Sequence, residues 1–518
     1  MHPTHFAKAT PNKVALIFPE TGEQLTYAQL DVAANRAAHL YRQAGLKRGD
    51  VVAILANNCI DYYVAWWGAQ RSGLYFNGLP TSATMSEAAY VLRDCAASLL
   101  IVSCALGDSV KDLIYETSSA ISTVRRIYTL DGEAPGCETW RDALMRMPPT
   151  LIDDPSAGAP QPYSSGSTGK PKGLRHGLSD RNYDQRDPIT ELRIDRFGYR
   201  QDTIYLAPGP LSHTLSLSFA ALTHQVGGVV VQMSRFRPAL FLSLVEKYRV
   251  SLSQMVPMMF VQLLKTPADE RAKFDISSLR SVVHSAAPCP PDIKRAMIAW
   301  WGPIISEFYS GSEGLGATII SSDEWLERPG SVGKPAWSVP HICDDQGHEL
   351  PTGVCGVIYF DGRSTVQVLN DPARTEMMRH PVHKGWATFG DVGFLDADGY
   401  LYLKDRAAFV IQSGEHRIYP QEVEDVLIAH PAVADAAVFG AHDPEAGEQI
   451  RAIVVPLDVN GAGAELAHEL LAYCRSRLAP ETCPAAIEFE PSLPRGESGK
   501  LYKRVLQERD KGARRSTL

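Results

Sequence analysis

Short apolar runs of strand length alternate with longer stretches of helical period along most of this 518-residue sequence, and that alternation restricts the fold more than any other feature. Residues 25–44 read as a helix. Leu30, Ala33, Ala37, Leu40 and Tyr41 fall on one broad face, Thr26 and Gln29 form a prospective capping box, and Gly45 is a stop. Residues 51–55 follow as a short buried strand and 62–70 as the next helix. Further along, strands are expected at 203–207, 228–233, 281–284 and 354–360, separated by helical stretches such as 238–248 and 291–301. Helices of this kind bury one face and short apolar strands bury both, so the expected class is α/β, with layered sheets and covering helices. A chain of this length with 45% hydrophobic residues can bury a large core and should divide into more than one domain. No repeat of solenoid type is present.

The character changes near Asp405. Beyond it the sequence reads as a small α+β unit, with helices at 420–430 and 464–478 and strands at 433–439 and 450–457. The expected division is therefore a large part over 1–405 and a small one over 408–518, joined near 406–409. The charged residues after Arg504 are expected to fray.

Charge and cysteine usage narrow the partners. The balance of 51 basic against 59 acidic side chains, net -8, provides no general positive field for a nucleic acid, although a local phosphate site needs only backbone N–H groups and one or two lysines. The nine cysteines are scattered, Cys59, Cys95, Cys104, Cys289 and Cys474 mostly within apolar runs, and none forms a C-x-x-C pair. Reduced core thiols of a cytoplasmic protein are the plain reading. No basic head followed by an apolar segment opens the sequence, and the apolar stretch 89–106 is broken by Arg93, Asp94 and Cys95, so no integral membrane segment is expected.

A linker-like passage at 153–161 introduces Tyr163-Ser-Ser-Gly-Ser-Thr-Gly-Lys-Pro-Lys-Gly173, expected as a loop. Gly166, Gly169 and Gly173 permit close backbone approach. Ser164, Ser165, Ser167 and Thr168 bring hydroxyls, and Lys170 and Lys172 bring charge, which are the groups a triphosphate tail requires. It is not a Walker loop, because Ser164 stands where that motif needs glycine and Pro171 follows Lys170. A flexible Gly/Ser linker is the competing reading, but such a linker has no reason to carry two lysines around a proline.

That run resembles the signature loop of the adenylate-forming superfamily, which contains acyl-CoA synthetases, luciferases and peptide-synthetase adenylation domains, and further motifs follow in family order over nearly the whole chain. Pro210-Leu-Ser-His213 resembles the segment whose histidine borders the acyl pocket. Ser285, Ala286, Ala287 and Pro288 resemble the turn against which adenine packs. Glu307-Phe-Tyr-Ser-Gly-Ser-Glu313 resembles the next motif, which implies Tyr309 against adenine, Ser310, Gly311 and Ser312 near the nucleotide, and Glu313 at Mg²⁺. Here Ser310 replaces the usual glycine and Ser312 the usual threonine. The run Trp386-Ala-Thr-Phe-Gly-Asp391 matches the motif whose aspartate binds the ribose hydroxyls, and Arg406 falls where an arginine near ribose or phosphate is implied, preceded by Asp405 in place of glycine. The segment Gln412 to Pro420, with Gly414, resembles the motif that approaches the nucleophile path. Leu493-Pro-Arg-Gly-Glu-Ser-Gly-Lys500 matches the loop of the catalytic lysine.

The resemblance implies that a carboxylate attacks the α-phosphate of ATP with Mg²⁺ present. It implies that Lys500 bridges the reacting oxygens, that Thr168 and Glu313 hold the metal, and that His213 walls the acid pocket. Coenzyme A would then take the acyl group after the small domain rotates. At the hinge, where aspartate or lysine is usual, this sequence has Ala408. Each residue also has a bland reading: Lys500 as a surface lysine, Glu313 as a helix cap, Asp391 as a turn residue, His213 as a satisfied core histidine. The spacing of the surrounding motifs favours the nucleotide reading. Apolar stretches at 215–222, 255–261 and 304–315 have two readings, packed core or the lining of an acid pocket, and small residues at 310, 311, 314 and 316 would leave room for a bulky acid. The run Asp323 to Gly330 resembles acyl-CoA ligases for fatty or bile-acid-like substrates, which implies a hydrophobic monocarboxylate, medium- or long-chain or alicyclic/steroidal. The alternatives are an aromatic acid, a stand-alone acyl-AMP ligase, a luciferase-like oxidation and a non-catalytic nucleotide-binding regulator. A homodimer is left open.

Overall fold

The computed structural model describes residues 2–165, 171–362, 366–414, 416–443, 447–496 and 499–515. The chain forms two compact units, each drawn from separate stretches: the first from Met1–Gln254, Phe274–Val282 and Thr365–Thr375, the second from Met255–Lys273, Val283–Ser364 and Glu376–Leu518.

The first unit contains a six-stranded parallel sheet in the order Glu138–Thr139, Arg126–Thr129, Ala97–Val102, Val51–Leu55, Tyr75–Leu79, Ala159–Pro160. Its central strands are buried along their length, as a parallel sheet covered by helices requires. Val51, Leu55, Leu100 and Val102 meet Leu92 and Leu113 from the covering helices Met85–Asp94 and Ser109–Ala120 in one core. A second set of strands runs in the order Leu252–Met255, Ile204–Ala207, Val229–Gln232, Val14–Phe18, Glu23–Thr26, parallel except for the last pair. The helix expected at 25–44 spans Tyr27–Gln43, and both halves of the Thr26–Gln29 capping box are formed.

The second unit carries a sheet in the order Pro340–Cys343, Gly356–Phe360, Asp391–Leu395, Leu401–Arg406, Ser331–Trp337, Ala317–Ile320, Ile305–Ser310. It also carries a smaller sheet in which the long antiparallel pair Val433–Asp443 and Gly447–Pro456 is extended by Ala486–Phe489 and by Ile411–Ser413 with His416–Ile418. Helices Pro420–Ala429 and Ala464–Arg475 accompany the smaller sheet. The helix Pro291–Trp301 begins on proline at its first position, as does Pro420–Ala429.

Two expectations are corrected. The described residues after Arg504 are helical rather than frayed, within the helix Lys503–Arg515. Leu506, 1% exposed, anchors it on Ala437, Phe439 and Ile453, and Arg451 pairs with Asp510. One buried leucine in a run of charges left too thin an apolar stripe to stand out. The described ends of the passage 163–173 are likewise not loop, because Tyr163–Ser165 and Pro171–Arg175 are antiparallel strands with Ser164 opposite Lys172. Among the described residues, no helix is long and apolar enough to cross a membrane.

Candidate active site

The site in the second unit is built on the strand Ile305–Ser310, which pairs with Ala317–Ile320 so that Tyr309 faces Thr318 and Ser310 faces Ala317. The connection between them carries Ser312 and Glu313. Ser310, which replaces the usual glycine, closes the turn, its hydroxyl donating to the Gly316 carbonyl at 2.8 Å. Gly311 is required for space: a Cβ there would lie 2.6 Å from the Phe389 ring and 2.7 Å from a Glu313 carboxylate oxygen. Glu313 is 8% exposed.

Asp391 opens the strand Asp391–Leu395 opposite Arg406. Its carboxylate accepts from the Tyr309 hydroxyl at 2.7 Å and from Arg406 Nε at 2.8 Å. A further guanidinium N–H of Arg406 donates to the Phe389 carbonyl at 2.8 Å. Burial, and then the neighbouring carboxylate, push the Tyr309 phenol well above its ordinary pKa, and the same carboxylate raises that of Arg406. Phe389 meets the Tyr309 ring edge-on at 5.9 Å, and Phe360 lies 5.3 Å from Phe389. A carboxylate oxygen has two lone pairs, so Asp391 can accept further hydroxyl donors while it orients the phenol.

Lys500 also reaches this place. Arg495 bridges to Leu501, Gly496 N–H donates to the Lys500 carbonyl at 3.0 Å, and Tyr502 N–H donates to Pro494 at 2.8 Å. Arg495 forks onto Asp435 of the small sheet with two bonds of 2.6 Å and donates to the Gly499 carbonyl at 2.7 Å. Such a bidentate pair fixes direction as well as distance. Lys500 lines a cavity of about 250 Å³ together with Tyr309, Asp391, Arg406 and the turn Ser285, Ala286, Ala287, Pro288. Val256, Pro257, Met258 and Val261 add an apolar border.

Residues that the sequence reasoning did not single out also border the cavity. Glu307 is held by Lys294 at 2.6 Å, both buried, with His284 Nε2 at 3.4 Å. Burial raises the Glu307 pKa against the pull of Lys294, and burial followed by Lys294 lowers that of His284. Phe389 lay inside the Trp386–Asp391 run and Glu307 at the head of its motif, so each had a signal in the sequence.

The other expected residues are distributed as follows. Ser310 and Gly311 line the cavity, whereas Ser312, Glu313 and Gly414 do not border it. Gly414, at φ +58°, makes the turn between Ile411–Ser413 and His416–Ile418. Ser164, Ser165 and Lys172 lie in the first unit on the arms of the hairpin, and Gly166, Ser167, Thr168, Gly169 and Lys170 lie outside the described residues. A Cβ on Gly173 would lie 2.6 Å from the Tyr163 ring, whose hydroxyl donates to Asp94 at 2.6 Å. His213, half-buried in the first unit, is the N-cap residue of helix Thr214–Val226, and its side chain makes no capping bond.

Comparison with known proteins places the chain in a family. Residues 4–368 match the AMP-binding enzyme family and residues 422–500 its C-terminal domain. A feruloyl-CoA synthase of an Amycolatopsis species is 32% identical over 514 residues, covering 98% of both chains. A long-chain-fatty-acid–CoA ligase of Mycobacterium tuberculosis is 28% identical, covering 97% of this chain and 96% of its own. Among solved structures, an amide bond synthetase from Marinactinospora thermotolerans superposes with a TM-score of 0.80 at 27% identity, covering 98% of this chain and 99% of its own.

Proposed function

The chain belongs to the AMP-binding enzyme family, and from that membership we propose that it activates a hydrophobic monocarboxylic acid as an acyl adenylate and passes the acyl group to coenzyme A. ATP, Mg²⁺ and coenzyme A serve the reaction, which is that of an AMP-forming acid–thiol ligase. The observation that carries the reading is the shared cavity: a lysine from position 500 lines the same space as Tyr309 and Asp391.

In this reading adenine packs on Tyr309 and the 285–288 turn, and Asp391 accepts from the ribose hydroxyls while Arg406 holds its other oxygen. The substrate carboxylate, ionised near neutral pH, attacks the α-phosphorus as pyrophosphate leaves. Charge grows on the oxygens around phosphorus, and the Lys500 ammonium is the fixed cation that stabilises it. Glu313 and Thr168 would hold Mg²⁺, which supplies further positive charge to the phosphates. The buried Glu313 carboxylate is the oxygen donor such an ion prefers. The hydroxyl and lysine side chains of 164–172 would take the phosphate tail, with His213 bordering the acid. For the second half-reaction the small domain, 408–518, turns about Ala408. That movement withdraws Lys500 and brings Gly414 toward the thiol.

The apolar border of Val256, Met258 and Val261 supports an acid of the medium- or long-chain or alicyclic class. The 32% identity to a feruloyl-CoA synthase favours an aromatic acid as the second reading. A cytoplasmic place accords with nine cysteines that are all unpaired, and a homodimer is compatible with it.

The test is a panel of aliphatic, alicyclic and aromatic acids with ATP and Mg²⁺, followed for pyrophosphate with and without coenzyme A. Equal amounts of AMP and acyl-CoA are expected. Pyrophosphate without acyl-CoA would reject the transfer step. Lys500→Ala should abolish adenylate formation and spare thioester formation from supplied acyl-AMP.

A further inference from the structure

The strand Leu401–Arg406 ends on Lys404, Asp405 and Arg406, held in register against Asp391–Leu395. The chain then leaves through the turn Ala407–Phe409 and returns as helix Pro420–Ala429. Tyr419, at the N-cap of that helix, offers no side-chain acceptor to the first turn, and unpaired first-turn N–H groups are costly when buried. Asp405 takes the role from the other side of the turn. Its Oδ2 accepts the Gln421 N–H at 3.0 Å while Oδ1 accepts its own neighbour Arg406 N–H at 2.7 Å.

The same carboxylate faces a cation. Lys503 Nζ lies 2.9 Å from Glu424 and 3.9 Å from Asp405 Oδ2, and the Lys503 and Asp405 side chains are only 7% and 6% exposed. Alongside, Lys404 pairs with Glu422 at 2.5 Å. Lys503 stands three residues beyond Lys500, so a charge fixed at Asp405 bears on the segment that carries Lys500 into the cavity. Ionised groups this buried persist only when paired, which makes the contact selective for one arrangement of the two segments.

We propose that Asp405 is a positioning residue, a latch that crosses the Ala407–Phe409 turn to hold the Lys500 segment in the adenylate-forming arrangement and that is released before thioester formation. The proposal rests on the two-step reading above. Loss of a helix cap of ordinary size corresponds to roughly a five- to tenfold change in an equilibrium, and loss of the buried ion pair adds to it.

The test uses the full chain and two variants, Asp405→Ala and Asp405→Asn, the second of which keeps an oxygen for Gln421 but not the charge. Pyrophosphate release from acid and ATP reports the first half-reaction, and acyl-CoA from supplied acyl-AMP the second. Asp405→Ala should slow the first about tenfold and leave the second unchanged or faster, with Asp405→Asn between it and the unaltered chain. Hydrogen exchange of the amides of 421–424 should quicken in Asp405→Ala while that of 433–443 stays the same. A parallel loss of both half-reactions, or unchanged exchange at 421–424, would overturn the latch. If no acid releases pyrophosphate with the unaltered chain, the adenylation reading has failed, and the exchange measurement alone decides whether Asp405 holds the helix.

Discussion

Tyr309 performs two tasks with one side chain: its ring packs among Phe360 and Phe389, and its hydroxyl orients Asp391. Tyr309→Phe separates them. The ring contacts survive and Asp391 loses one of its two side-chain donors, a loss on the order of 1 kcal/mol. Steady-state pyrophosphate release with ATP varied should show the KM for ATP rising roughly three- to tenfold with little change in kcat. A fall in kcat at constant KM would contradict the orienting role. At this scale the sequence was informative wherever a motif had fixed spacing. Asp391, Arg406, Tyr309 and Lys500 line one cavity although they span nearly two hundred positions of the chain. It was silent on Lys294, because a lysine on a helix reads as surface and only the fold buries its ammonium against the Glu307 carboxylate.

Among the elements, those with chemical punctuation were legible. The capping box at Thr26 and the prolines at 238, 291 and 420 set helix starts that the structure reproduces within a residue or two. The strands flanking the signature glycines were not, because serine and glycine have low strand propensity and the pairing of Tyr163–Ser165 with Pro171–Arg175 depends on tertiary packing. The helix Lys503–Arg515 was hidden for the opposite reason: its charges are many and its anchor is one side chain. Leu506→Ala removes that anchor. It should destabilise the small sheet and its helices by about 2–4 kcal/mol, read as a lower urea midpoint for the protection of 433–456 in hydrogen exchange. An unchanged midpoint would mean that the helix is held by its ion pairs instead.

At the scale of the whole molecule, the Asp425 carboxyl links stability to pH. Burial pushes Asp425, on helix Pro420–Ala429, up to about 7 against the hydrogen bond from Gln421 at 2.6 Å, and the neighbouring Glu424 adds to the rise. An unfolded aspartate titrates near 4. The folded chain therefore binds the extra proton, so this contribution to stability is complete below about pH 4 and is lost as pH rises through 7. Asp425→Asn should remove the dependence. The difference in unfolding free energy between variant and unaltered chain should move by on the order of 2 kcal/mol between pH 5 and 8, the carboxyl being partly open to solvent. A difference that stays constant across that range would show that Asp425 titrates normally.

The two compact units are each drawn from separate stretches of the chain. The first unit is completed only by 274–282 and 365–375. During synthesis its apolar sheets must therefore wait, partly uncovered, until more than two-thirds of the polypeptide has left the ribosome. A chain with that itinerary should depend on holding chaperones early in its life, and a truncation designed at the end of residue 254 should yield an aggregating fragment.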